Sequence, residues 1–148
     1  LIEIWTARIP IMPSDAALKA RLQIAARYLD HLADAQSAYL AVPPPLAPEE
    51  RAPDSIQFNL TGNWSDADAR RFQAEAKRRG ITVQIFGLSE DNARAFWNWQ
   101  FLVETPDLPK TRAMLMRAGD VRLPTRLTDD ELDFIAAAIF DAAEAVKG

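Results

Sequence analysis

The sequence predicts an α+β fold: a small β-sheet covered by helices, with a long N-terminal helix and a C-terminal helix. Three observations predict it. Ser55–Thr61 alternates apolar and polar side chains with the period of a half-buried strand. Between Ser65 and Phe86 a helical run ends at a glycine and is followed by a second alternating segment. Leu132, Ile135, Ile139, Ala142 and Val146 recur at helical spacing behind a capping box. The whole order reads helix, strand, helix, strand, strand, helix, strand, helix, which suits a sheet with helices on one side. We expect one domain over residues 1–148, since a chain of 148 residues buries roughly 68–70% of its unfolded surface. Within it, 1–40 is an entry segment and long helix, 41–54 a proline-rich connector, and 55–148 the α+β core.

Each element has a local cause. Leu1–Pro13 is apolar with a strand-like start and two prolines. Ser14 and Asp15 supply an N-cap for a helix to about Tyr39, with Leu18, Leu22, Ala25, Leu29 and Leu32 on one stripe. That stripe either packs within its own domain or docks against a neighbouring one. Ala41–Pro53 holds five of the ten prolines, including three in a row, which forbid helix and favour a stiff polyproline II connector. Ile56, Phe58 and Leu60 form the buried face of the first core strand. Gly62 and Asn63 then turn the chain. Ser65 and Asp66 open a helix to Arg79, whose basic last turn suits the helix dipole, and Gly80 stands where a left-handed residue belongs. Ile81–Phe86 reads as a second strand, with Ile81, Val83 and Ile85 alternating.

The segment Leu88–Phe101 packs Phe96, Trp97, Trp99 and Phe101 into six residues. As a strand it would put Trp97 and Trp99 on one face and Phe96, Asn98 and Gln100 on the other. A short helix over Pro109–Arg117 carries Met114 and Met116, Val121–Leu123 reads as a short strand, and Thr128-x-x-Glu131 opens the last helix, to about Val146.

Composition excludes more than it assigns. With 17 Lys+Arg against 21 Asp+Glu, the net charge of −4 speaks against a nucleic-acid partner, which needs a basic footprint. No cysteine means no disulfide framework, iron–sulfur ligation or thiol catalysis. His31 alone leaves little for a metal site or a histidine triad. No run approaches ~18 apolar residues, so no membrane span is expected. The start at Leu1 lacks the pattern of a signal peptide and reads as a piece of a longer chain.

Catalytic motifs are missing. The five glycines form no phosphate loop, and no serine sits in a strand–turn–helix elbow. Lys19, Lys77, Lys110 and Lys147 all lie among polar neighbours, unsuited to a Schiff base. Two basic clusters remain: Arg70, Arg71, Lys77, Arg78, Arg79, and Lys110, Arg112, Arg117, Arg122, Arg126. Arg94, Arg122 or Arg126 could grip an acidic substrate in bidentate fashion, or be spent on Asp91, Asp120, Asp129 and Asp130. The aromatic segment allows the same split, between a core patch and a ligand cleft or subunit contact. Residue chemistry therefore predicts no catalytic residue, no cofactor-binding residue and no metal ligand.

The order of patterns carries a resemblance. The unit Ile56–Ile85 with its RRGI turn, the WNWQF segment, the Leu108–Thr111 helix start and the LPTRLTDDEL ending (Leu123–Leu132) resemble the C-terminal small domain of the DegT/DnrJ/StrS family of aminotransferases. Ser14–Tyr39 is similar to the long helix leading into that domain. The resemblance implies the small domain of a fold-type I enzyme that uses pyridoxal phosphate, largely on nucleotide-linked sugars, in the cytoplasm. The aldimine lysine and the cofactor's other ligands belong to the large domain in that family, and no position here matches them. The implied role is closing the active site, contacting substrate at Arg94, Trp97, Asn98 and Trp99, and supporting a homodimer beside the missing large domain. The alternative is a standalone, non-enzymatic α+β module binding a ligand or protein through its proline connector and aromatic segment.

Overall fold

The computed structural model describes residues 38–42, 55–122 and 127–148. The entry segment, nearly all of the first helix with Lys19 and His31, the proline run, and Arg126 lie outside the described residues.

Four strands form one antiparallel sheet: β1 (Leu40–Ala41), β2 (Ser55–Leu60), β3 (Gln84–Ile85) and β4 (Ala118–Arg122), in the order β1-β2-β4-β3. Ile56 pairs with Val121, Phe58 with Gly119, and Ile85 with Gly119, so apolar positions coincide across three strands. Their side chains meet α1 (Asp66–Arg78) and α3 (Asp129–Lys147), which pack against each other and share one core with them. Phe72 of α1 sits at its centre, fully buried, edge-on to Phe58 at 6.0 Å and to Trp64 at 5.8 Å. Such T-shaped pairs match ring edge to ring face and add to the gain from burial. The small α+β architecture with helices on the sheet is thus the one the sequence predicts.

Helix ends follow the expected chemistry. Ser65 and Asp68 cap α1 reciprocally, and Thr128 and Glu131 do the same for α3. Gly80 has φ +87°, and the bonds Gly80 N–H to Lys77 O and Ile81 N–H to Ala76 O close a Schellman turn. This turn aims the chain back along the sheet.

Several boundaries differ from the sequence reading. Residues 40–41, placed at the join of helix and connector, form the edge strand β1 opposite Asn59–Leu60. Ile81–Phe86 keeps its buried alternation at Ile81, Val83 and Ile85, but only Gln84–Ile85 pairs as a strand, opposite Asp120 and Gly119, with one further bond from Phe86 N–H to Ala118 O. β4 begins at Ala118 rather than Val121. The sequence missed it because Ala-Gly-Asp has low strand propensity, and long-range pairing with β2 overrides that. The short helix α2 is Pro109–Leu115, ending two residues early.

The aromatic segment is the largest correction. It is not a strand: Phe96–Asn98 is one turn of 3-10 helix inside a looped stretch. With no strand pleat, Trp97 and Trp99 do not share a face by alternation. Phe96 is buried, Trp97 half-buried and Trp99 exposed.

Candidate functional site

The loop 86–101 is pinned by its own asparagines. Asn92 donates through Nδ2 to Phe86 O, and its Oδ1 accepts from the backbone N–H groups of Arg94 and Ala95. Asn98 donates through Nδ2 to Ser89 O and Asn92 O. Short amide side chains suit this work because they mimic backbone turns. Trp99 Nε1 donates to Ala93 O, and its ring stacks on Phe101 at 5.4 Å.

Arg94 emerges from this loop, its guanidinium carbon 4.3 Å from the centre of the Phe86 ring. Nη1 donates to Asp120 Oδ2 at 2.5 Å. Asp120 is 1% exposed and lies between Gln57 and Gln84 across the sheet, on the face turned from α1 and α3. A charge that buried persists only when paired. Arg94 therefore satisfies Asp120, and of the carboxylates weighed for it the distant Asp120, not neighbouring Asp91, is the partner.

Beside the loop, Phe96, Trp97, Thr105, Asp107, Leu108 and Arg112 line a pocket of about 250 Å³. Trp97 meets Phe96 edge-on at 5.1 Å, and the Arg112 guanidinium carbon lies over the Trp97 ring at 4.6 Å. Of the four predicted site residues, only Trp97 reaches this pocket. Arg94 and Asn98 brace the loop, and Trp99 stands on its outer side. Thr105, Asp107 and Arg112 were not singled out together by sequence reasoning. The Trp97 to Arg112 spacing crosses a loop that no periodicity encodes.

The basic residues of α1 sort by partner. Arg71 pairs with Asp68, and Arg78 and Arg79 with Glu75. Asp68 also accepts from Lys147 Nζ at 3.2 Å, tying the start of α1 to the end of α3. Its carboxyl is held well below the usual range by the Ser65 N–H first, then Arg71, the Ser65 hydroxyl and Lys147. Glu75 is lowered by its bond to Arg78, then by Arg79. Arg70 and Lys77, with Gln73 and Thr82, border an open groove of about 440 Å³ on the outer side of α1. Among the described residues no cluster of acidic or histidine side chains could hold a metal ion, and no helix is long and apolar enough to cross a membrane.

Solved structures share this architecture. The apo-form of Spr1654 from Streptococcus pneumoniae, described as a sugar aminotransferase, matches 88% of this chain and 31% of its own, with TM-score 0.63 and 20% identity. Its PMP-form gives TM-score 0.64 at 20% identity, over 88% and 32% of the two chains. The aminotransferase TlmJ from Streptoalloteichus hindustanus gives 0.58 at 18% identity, over 88% and 33%. The likeness is one of fold, and this chain spans about a third of the length of those structures. No family model matches the sequence, and no curated protein matches it.

Proposed function

We propose that this chain is the small-domain part of a pyridoxal-phosphate-dependent aminotransferase that acts on sugars, of the DegT/DnrJ/StrS type. One observation carries the reading: 88% of the chain superposes on only about a third of each of two aminotransferases, one of them described as acting on sugars. The remaining two thirds in those proteins leave room for a large domain. In this reading the parent is a cytoplasmic homodimer, and loop 86–101 closes its active site. Arg94, Trp97, Asn98 and Trp99 then face the substrate, Trp97 and Trp99 with their rings and Arg94 and Asn98 from the braced loop.

The cofactor itself does not fit the described residues. Pyridoxal phosphate needs a lysine for its Schiff base, a partner for its pyridine nitrogen and a phosphate cradle. Lys147 Nζ is taken by Asn63 O and Asp68, and Lys110 is exposed. Lys77 borders a groove lined by neither a carboxylate nor an aromatic ring. The cofactor would sit on the large domain, and this chain would supply a wall that excludes water and orients the substrate.

The test is genetic and then spectroscopic. The gene upstream of the Leu1 codon should encode a larger domain, and the purified full-length product should bind pyridoxal phosphate and transfer an amino group. Trp97→Ala in that product should raise KM for the sugar more than it lowers kcat. A gene that starts at this segment, or a full-length product that does not bind the cofactor, refutes the reading and leaves a standalone binding module.

A further inference from the structure

The outer faces of α1 and α3 carry opposite charges in matching patterns. On α3, Asp130, Phe134, Ala137, Asp141 and Glu144 recur every three or four residues and are all exposed, turned from the buried Leu132, Ile135 and Ile139. On α1, Arg70, Ala74 and Lys77 make a similar exposed stripe. Arg71, Arg78 and Arg79 are spent on Asp68 and Glu75, but among the described residues Arg70 and Lys77 meet no carboxylate. Asp141 and Glu144 likewise meet no cation among them. An alanine stands near the middle of each stripe, Ala74 and Ala137, which permits a close helix approach of roughly 8–10 Å.

Levels along the two helices follow from one contact. Lys147 Nζ lies 3.2 Å from Asp68 Oδ2, so the end of α3 stands beside the start of α1 and the packed helices run antiparallel. Both rise about 1.5 Å per residue, so counting forward from Asp68 matches counting back from Lys147. Arg70 is then level with Glu144 to within about one residue, and Lys77 falls between Ala137 and Asp141. Beyond the end of α1, Phe134 comes level with Ile81. Phe134 is 59% exposed, and the groove of about 440 Å³ beside α1 is lined near that level by Ala74, Lys77, Thr82 and Val83. A half-turn about an axis in this surface, parallel to the helices and midway between them, lays α1 of one copy on α3 of another and leaves every level unchanged. Arg70 then faces Glu144, Lys77 faces Asp141 and Phe134 faces the groove, each contact being made twice.

We propose that the α1–α3 face binds a second copy of this chain in this two-fold arrangement. Charge selects the occupant, because the basic stripe of α1 needs an acidic helix face and the same chain carries one at the matching level. The contact lies across the sheet from Arg94 and Asp120 and stands whether or not the parent is an aminotransferase. A face about 20 Å long, with exposed ion pairs and two phenyl rings, makes a small interface, and a dissociation constant on the order of 100 µM is expected.

Sedimentation of the 148-residue chain from about 10 µM to about 1 mM tests it. The mass should rise to that of a dimer, and raising salt from about 50 to about 500 mM should weaken association at least about threefold. Lys77→Glu sets like charges opposite Asp141 and should weaken it at least about tenfold, as should Asp141→Lys. Carrying both changes in one chain restores opposite charges at each contact, and should bring affinity back to within about threefold of the original. Phe134→Ala should weaken association about tenfold. All three side chains are exposed, so an unchanged Tm and circular dichroism spectrum will show the monomer fold intact. A chain that stays monomeric to about 1 mM overturns the proposal. So does a dimer indifferent to Lys77→Glu and Phe134→Ala, which would be held by another face. Failure of the double variant to recover overturns the pairing of α1 on α3. Cofactor binding by the full-length product decides the aminotransferase reading separately.

Discussion

Removing Arg94 should expose how the loop and the sheet depend on each other. Asp120 is 1% exposed and its Oδ2 accepts from Arg94 Nη1 at 2.5 Å, so Arg94→Ala leaves a carboxylate buried without its cation. Breaking a fully buried pair costs roughly 3–5 kcal/mol. The Arg94 side chain is 37% exposed, so water already reaches one side of the pair, and about 2 kcal/mol is the better expectation. Loss of the stack on Phe86 adds roughly 0.5 kcal/mol. Urea unfolding followed by tryptophan fluorescence reads this directly: at a slope of about 1.5 kcal/mol per molar, the midpoint falls by well over 1 M. Asp120→Asn alone removes the charge while keeping an acceptor, and should cost less. The double variant should cost well less than the two singles added together, because the cost of Arg94→Ala is largely the stranded charge. Additivity within about 0.5 kcal/mol would refute the argument, since Asp120 would then not depend on Arg94.

Two further outcomes follow from packing and charge. In Gly119→Ala the new Cβ would stand 2.8 Å from Phe58 Cζ and 3.0 Å from Ile85 Cδ1, both core atoms, so overpacking should cost about 1–3 kcal/mol; an unchanged Tm contradicts this. Asp68 and Glu75 have lowered folded-state pKa values, so as pH falls the unfolded chain takes up protons first; the urea midpoint should hold from pH 7 to about 5 and drop below about 4. Asp68→Asn should flatten that drop, and an equally steep fall in the variant counts against the assignment.

What the sequence made legible is what local physics decides. Ser65 with Asp68, and Thr128 with Glu131, mark helix starts because the bonds span three residues. Gly80 marks a helix end because only a residue without Cβ adopts φ +87° at little cost. Ile56, Phe58 and Leu60 mark a strand face because the pleat has period two. β4 was harder. Its Ala-Gly-Asp start has no strand signature, and it forms because Gly119 admits Phe58 and Ile85 across three strands, a fact held by residues 34 to 61 positions away. The WNWQF run misleads for the converse reason. Its composition favours a strand, but the asparagines at 92 and 98 supply the carbonyl partners that a ladder would have supplied, and they hold a looped turn instead.

The site divides along the same line. Arg94 and Arg112 each have an aspartate a few residues away, and of the two only Arg94 is a candidate for an acidic ligand from sequence. Neither pairs with that neighbour. Arg94 crosses 26 residues to Asp120, and Arg117 crosses 51 to Asp66, while Arg112 settles on Trp97 and keeps its fork. Which arginine is free to bind is thus a property of the folded sheet and not of any spacing rule. The strength of the Arg94–Asp120 pair follows from the burial of Asp120, and the availability of Arg112 follows from a ring with no negative charge to give.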